Sequence, residues 1–351
     1  MTEPVTIRPA LPTGEPLLQV NNLQVHFPIS LGDLSLRSLL KRDRGPRPVV
    51  HAVEDVSFEI RQGETLGLVG ESGSGKSTIG NAIMRLVEPT GGTIMLDGLD
   101  VTAARGAQLK AVRRRVSMVF QDPLASLDPR RSIRDALVDP LEVHGLHQGN
   151  RSARIAELMD LVGLPQRFLG RYPHQLSGGQ RQRVCIARAL AVEPKLIILD
   201  EATASLDVSV QAQVMNLLKR LQDELGLSYM FIAHDLAAVE YMSHQVLVLY
   251  LGRAMERAPR EAIYGATAHP YTTALMSAIP KLDPVEEKNR DRIVLRGDVP
   301  SPVNPPTGCV FRTRCPVVMD ECAEQVPPMV PVDDEHQAAC LRVQAGVGLS
   351  T

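Results

Sequence analysis

The chain has 351 residues, 44% apolar and 22% charged. This is an ordinary globular composition that excludes disorder throughout, and the length suggests about two domains. Its 38 basic and 40 acidic residues leave a formal charge of −2, and only 3% of residues are aromatic, none of them Trp; both facts disfavour a nucleic-acid-coating surface or a platform of stacked rings. No run reaches the ~18 consecutive apolar residues that cross a bilayer. The start, Met1 to Arg8, carries an early acid and no apolar stretch of a secretory signal. The expected compartment is the cytosol, where five cysteines are not expected to pair as disulfides.

In chain order, residues 1–16 are rich in Pro and Thr and read as a flexible start. Leu17 to Phe27 reads as an edge strand pair. A basic segment follows at 30–48, with Arg37, Lys41, Arg42, Arg44 and Arg47 among leucines. Val53 to Ile60 is strand-like, and Thr65 to Val69 is a short apolar run closed by glycine, with a helical pattern beginning at Lys76. Val116 to Phe120 is a buried-strand candidate. From about 122 to 193 the pattern is mostly helical. Strand-like runs return at Leu196–Leu199, Tyr229–Ala233 and Val246–Leu249, with helical Val208 to Leu225 between the first two. Alternating strands and helices predict a mainly parallel α/β core, with 122–193 inserted into it. After about Ala278 a Pro-rich stretch leads into a cysteine-bearing tail at 281–351, read as a small C-terminal appendage.

Gly70-Glu71-Ser72-Gly73-Ser74-Gly75-Lys76-Ser77-Thr78 fits the phosphate-loop pattern G-x-x-x-x-G-K-[ST] and sits between a strand and a helix. Its glycines let main-chain N–H groups turn towards phosphate oxygens, and the helix N-terminus favours the anion. Lys76 is placed for the β- and γ-phosphates and Ser77 for Mg²⁺. Leu196–Leu199 runs into Asp200-Glu201. A buried strand there delivers Asp200 to the metal at the carboxyl edge of a sheet and leaves Glu201 as general base for an attacking water. Leu176-Ser177-Gly178-Gly179-Gln180 reads as a loop entering a helix, a second anion-binding device that one nucleotide on one monomer does not need.

With these motifs in this order, residues 17–280 resemble the ATP-binding subunits of ABC transporters. The resemblance implies a mixed-sheet ATPase core, an antiparallel β edge subdomain and an inserted helical subdomain. It implies that ATP and Mg²⁺ are bound, with Gln121 and Asp200 joining Ser77 at the metal and Gln121, Glu201 and His234 acting in hydrolysis. Ser177, Gly178, Gly179 and Gln180 would hold the γ-phosphate of an ATP on a second ATPase subunit, identical or not, and Asp207 would contact that partner. Phe27 matches the adenine-stacking aromatic, with His51 the weaker candidate; Phe27 also suits an ordinary core position. The implied partners are two membrane permease subunits, with an extracytoplasmic substrate-binding protein acting indirectly, at the cytoplasmic face of the membrane; no nucleic-acid partner is implied.

Ser126-Leu-Asp-Pro-Arg130, Ala268-His-Pro-Tyr-Thr272 and the tail from Gly297 through Cys309 to Arg314-Cys-Pro316 resemble the di- and oligopeptide branch, which also contains nickel importers. A non-transport ATPase acting on ribosomes or nucleic acid is the reading from another class; the single motif set and the small net charge argue against it. Cys309, Cys315, Cys322 and Cys340 are spaced C-x5-C-x6-C-x17-C. Zinc, a [4Fe–4S] cluster and free thiols all remain open for them, the wide spacing favouring the cluster over zinc. Cys185, on the helix after Gln180, reads as a small core residue.

Overall fold

The computed structural model describes residues 15–29, 48–280, 287–288 and 292–347; most of the basic segment 30–48 and nearly all of 1–16 lie outside them. In chain order the strands are β1 (Pro16–Pro28), β2 (Val49–Arg61), β3 (Thr65–Val69), β4 (Gly91–Leu96), β5 (Leu99–Asp100), β6 (Val116–Val119), β7 (Leu196–Asp200), β8 (Ser228–Ile232), β9 (Gln245–Tyr250), β10 (Arg253–Pro259), β11 (Val330–Pro331) and β12 (Gln337–Ala338). They form two sheets, an antiparallel one ordered β2-β1-β4-β5 and a larger mixed one ordered β11-β12-β10-β9-β3-β8-β7-β6. The α/β fold with a mixed sheet and an antiparallel β subdomain is therefore present as expected.

The β9-β3-β8-β7-β6 portion is parallel throughout. Strands β3, β7, β8 and β9 are buried at every residue, which is why they read as unbroken apolar runs: a parallel sheet covered on both faces has no wet side to mark by alternation. Successive residues feed opposite cores. Leu66, Leu68, Ile198, Met230 and Ile232 pack towards the antiparallel sheet and the Lys76–Ile83 helix. Ile197, Leu199, Tyr229 and Phe231 pack with the Ile133–His144, Arg151–Leu161, Gly178–Leu190 and Val208–Leu225 helices.

Residues 17–27 form one continuous strand rather than a pair. The strand carries a bulge at Asn22, which has φ 49°, with the β1–β2 register slipping between Val20 and Leu23. An Asn tolerates that left-handed backbone, and the bulge lets the strand go on pointing Leu23 and Val25 into the core. The tail does not stand apart from the core. Ala338 pairs with Glu256 of β10, and Phe311 is enclosed by the rings of Tyr250, Tyr271 and His269. The buried His336 Nε2 lies 2.7 Å from Oε1 of the buried Glu256. No helix among the described residues is long and apolar enough to cross a membrane.

Candidate active site

Because the central strands are parallel, the residues that follow Val69, Val119, Asp200 and Ile232 emerge at one edge of the sheet, the edge where ligands of open α/β sheets bind. This brings together residues that lie up to about 160 positions apart in the chain: the 70–78 loop, Gln121, Glu201 and His234.

The loop wraps onto the N-terminus of the Lys76–Ile83 helix, capped by Gly75 at φ 100°. Only glycine fits at two of its positions. A Cβ on Gly70 (φ 150°) would strike the Leu249 carbonyl oxygen, and one on Gly75 would strike the Ala52 carbonyl oxygen. Lys76 is buried, and its Nζ donates to the carbonyls of Gly70 (2.8 Å) and Glu71 (2.9 Å). Burial lowers its pKa, while Glu201, Asp200 and Glu71 pull the other way. Ser77 Oγ donates to Asp200 Oδ1 at 2.9 Å. Burial raises the Asp200 pKa; the Ser77 hydrogen bond opposes this and the neighbouring Glu201 carboxylate adds to it. A hydroxyl and a carboxylate side by side are hard oxygen donors suited to Mg²⁺, and a cation there would favour the ionised Asp200 carboxylate.

Glu201 has φ 49°, an uncommon backbone for this residue. Its N–H donates to the Ile232 carbonyl at 2.9 Å, which ties the turn to β8. Its carboxylate is gripped from both sides: Gln121 Nε2 donates to Oε2 at 2.5 Å, and His234 Nε2 lies 2.6 Å from Oε1. Gln121 therefore reaches Glu201, and among the described residues no hydrogen bond joins it to Ser77 or Asp200. His234 is 45% exposed and Glu201 13%, and Gln121 is exposed as well, so the acid is sheltered while both of its partners face solvent.

Ser177 caps the Gly178–Leu190 helix through a reciprocal box with Gln180: the Gln180 N–H donates to Ser177 Oγ, and the Ser177 N–H donates to Gln180 Oε1. Among the described residues no hydrogen bond or ion pair joins this segment to the 70–78 loop. Asp207 is exposed at the start of the Val208–Leu225 helix and its side chain makes no cap bond. Phe27 is 38% exposed at the end of β1, whereas the His51 ring is engaged by Glu54, Nδ1 to Oε2 at 2.8 Å. Cys185 is a buried core residue, its thiol pushed up to about 11 by burial.

In the tail, Cys309 and Cys322 are buried, Cys315 and Cys340 partly so, and none forms a disulfide. Burial pushes Cys309 and Cys315 up to about 11. Among the described residues, no three of these sulfurs lie within 4.8 Å of one another. Two residues with a direct hold on the phosphate loop carried no role in the sequence reading. Tyr271 Oη accepts the Glu71 N–H at 3.0 Å, and Arg314 grips the Glu71 carboxylate. Both lie in segments legible only as marks of the peptide branch, Ala268–Thr272 and Arg314–Pro316.

A phosphate loop, an acidic strand end and a glutamine–glutamate–histidine cluster at one sheet edge define a nucleotide-hydrolysing P-loop protein. Residues 53–204 match the family described as ABC transporter, and residues 255–322 match that described as oligopeptide/dipeptide transporter, C-terminal region. The chain is 48% identical over 327 residues to the putative oligopeptide transport ATP-binding protein YkfD of Bacillus subtilis, covering 93% of this chain and 95% of that one. It is 49% identical over 331 residues to the oligopeptide transport ATP-binding protein OppF of Haemophilus influenzae, covering 94% and 98%. Among solved structures it is similar to cbiO1 from Clostridium perfringens, part of the ABC transporter complex cbiONQ, with a TM-score of 0.60 and 26% identity, covering 72% of this chain and 92% of that one. It is likewise similar to the ATP-binding cassette MJ0796 in a dimeric post-hydrolysis state bound to ADP and Pi, with a TM-score of 0.59 and 28% identity, covering 69% and 98%. The chain belongs to the ABC transporter family, as an ABC-type ATPase subunit.

Proposed function

We propose that this chain is the motor of a di- or oligopeptide importer, seated on the cytoplasmic face of two permease subunits and acting as one half of an ATPase pair. The observation that carries the hydrolytic part is the grip on Glu201. A carboxylate held by Gln121 and His234, beside the Ser77–Asp200 pair and Lys76, is positioned to take a proton from water attacking a γ-phosphate. Residues 70–78 cradle the phosphates and Phe27 stacks on adenine. Ser77 and Asp200, with Gln121, would hold Mg²⁺, and the ion would supply charge neutralisation for the phosphates.

The second anion site carries the pairing. Ser177 and the N-terminus of its helix offer donors for a phosphate, yet among the described residues they share no hydrogen bond with the chain's own phosphate loop. In this reading they serve the ATP of an opposed subunit, with Asp207 at the junction. Closure over two nucleotides then pulls the inserted helical region that engages the permease. The peptide cargo rests on the names of the relatives and on the C-terminal match.

The four tail thiols suit a [4Fe–4S] cluster better than zinc. One zinc bonded at about 2.3 Å would draw its sulfurs to about 3.8 Å apart, closer than any three stand here. Four thiolates around a larger cluster fit a wider spacing. Iron analysis and an absorbance shoulder near ~400 nm of anaerobically purified protein test this; colourless, iron-free protein refutes it. Cargo is tested by reconstituting the chain with its permease and binding protein in vesicles. ATP-dependent entry of labelled di- or oligopeptides is expected. Entry of Ni²⁺ instead, or co-sedimentation with ribosomes and not with permease, contradicts the assignment.

A further inference from the structure

We infer that Arg314, in the cysteine-bearing tail, is a positioning residue of the phosphate loop, fixing and neutralising Glu71 so that the tail forms part of the nucleotide site. This rests on the ATP-binding role of the 70–78 loop.

Glu71 is the second residue of the loop, and each of its polar groups is committed. Its N–H donates to Tyr271 Oη at 3.0 Å, and its carbonyl accepts from Lys76 Nζ at 2.9 Å. Its carboxylate takes both arms of the Arg314 guanidinium, Nη1 to Oε2 at 2.7 Å and Nη2 to Oε1 at 3.1 Å. The two residues are 243 positions apart, so this is a tertiary clamp, not a local turn.

The clamp is itself held. The Arg314 side chain is only 8% exposed. Its Nη1 also reaches Tyr250 Oη at 3.4 Å, and its guanidinium lies 5.8 Å from the centre of the Tyr250 ring. Tyr250 and Tyr271 both pack on Phe311, three residues before Arg314. A bidentate arginine–carboxylate pair fixes orientation as well as distance, which a lysine's point charge does not.

Two consequences follow for the nucleotide. The Glu71 carbonyl is one of two that hold Lys76 Nζ, so fixing Glu71 fixes where the lysine waits. Glu71 also places a negative charge on a loop that must accept a triphosphate, and the Arg314 guanidinium cancels it. Without Arg314 that carboxylate repels the incoming phosphates.

The test uses the full-length chain and its Arg314→Ala, Arg314→Lys and Arg314→Ala/Glu71→Gln forms, with titration of a fluorescent ATP analogue and thermal melting in parallel. Loss of the guanidinium is expected to weaken nucleotide binding roughly five- to tenfold. Lysine restores part of that loss, because it keeps the charge without the fork. Removing the Glu71 charge as well restores most of it, even if the melting temperature stays low. An Arg314→Ala protein that melts earlier but binds nucleotide as the wild type does overturns the inference, as does a double variant no better than Arg314→Ala. Absence of nucleotide binding in the wild-type chain would instead sink the ATP-site reading, so the two failures are distinct.

Discussion

Gly179→Ala, paired with Gly178→Ala, tests whether the helix that starts at Ser177 is locked in place by its neighbour. A Cβ at Gly179 would fall within 3.0 Å of Val210 Cγ1, a separation that Cβ atoms essentially never adopt. Val210 is β-branched and lies in the Val208–Leu225 helix, where one rotamer dominates, so it cannot swing aside cheaply. The two helices must part by roughly half an ångström or more, with an overpacking cost of about 1–3 kcal/mol. The gain of up to about 1 kcal/mol from replacing a helical glycine by alanine does not cancel this. At Gly178 the added Cβ would meet Leu206 Cδ2 at 3.5 Å, an ordinary contact, so there the propensity gain stands alone. Urea denaturation should therefore show Gly179→Ala destabilised by about 1–2 kcal/mol and Gly178→Ala unchanged or stabilised by up to about 1 kcal/mol. The Gly179 variant also displaces Ser177 at the start of its helix, and a misplacement approaching 1 Å can cost up to about a hundredfold in rate; its ATPase should fall more than its stability explains. Equal stabilities for the two variants, or full activity in Gly179→Ala, would refute the packing argument.

Acid should loosen the joint between tail and core. Burial holds His269 down to about 4, below the ~6.5 of an exposed histidine, so the unfolded chain binds the extra proton and stability is lost as pH falls from about 6.5 to about 4. The loss approaches about 3 kcal/mol as an upper figure. Because His269 Nδ1 accepts the Tyr271 N–H as a helix cap, His269→Asn keeps an acceptor without a titrating group, and it should show a flatter pH–stability curve than wild type by chemical denaturation. An unchanged slope contradicts this. If the proposed cluster is present, Cys309→Ser should lower its iron content, and because Cys309 is buried the added hydroxyl should lower the melting temperature. Retention of iron in that variant would remove Cys309 from the ligand set.

The parallel core was legible because its strands are buried on both faces and must be apolar at each position. The phosphate loop and the acids after β7 were legible because phosphate and metal chemistry restrict which residues can stand there. The short antiparallel strands were not. β5, β11 and β12 have two residues each, too few for any periodicity, and β10, Arg253–Pro259, carries charged residues, the buried Glu256 among them. Asn22 carries a bulge inside a segment that reads as a strand pair. The Arg314–Glu71 pair was hidden for another reason: a contact across 243 positions leaves no local pattern, and Arg314-Cys-Pro316 reads only as a mark of the peptide branch until the fold sets it against the loop.

Glu201 is the proposed base that activates water. Phosphate release from MgATP by the purified chain, compared with its Glu201→Gln form in parallel with nucleotide binding, tests this most directly. ATP should bind with near-normal affinity while turnover falls by about two to four orders of magnitude. A Glu201→Gln protein that hydrolyses ATP at close to the wild-type rate contradicts it.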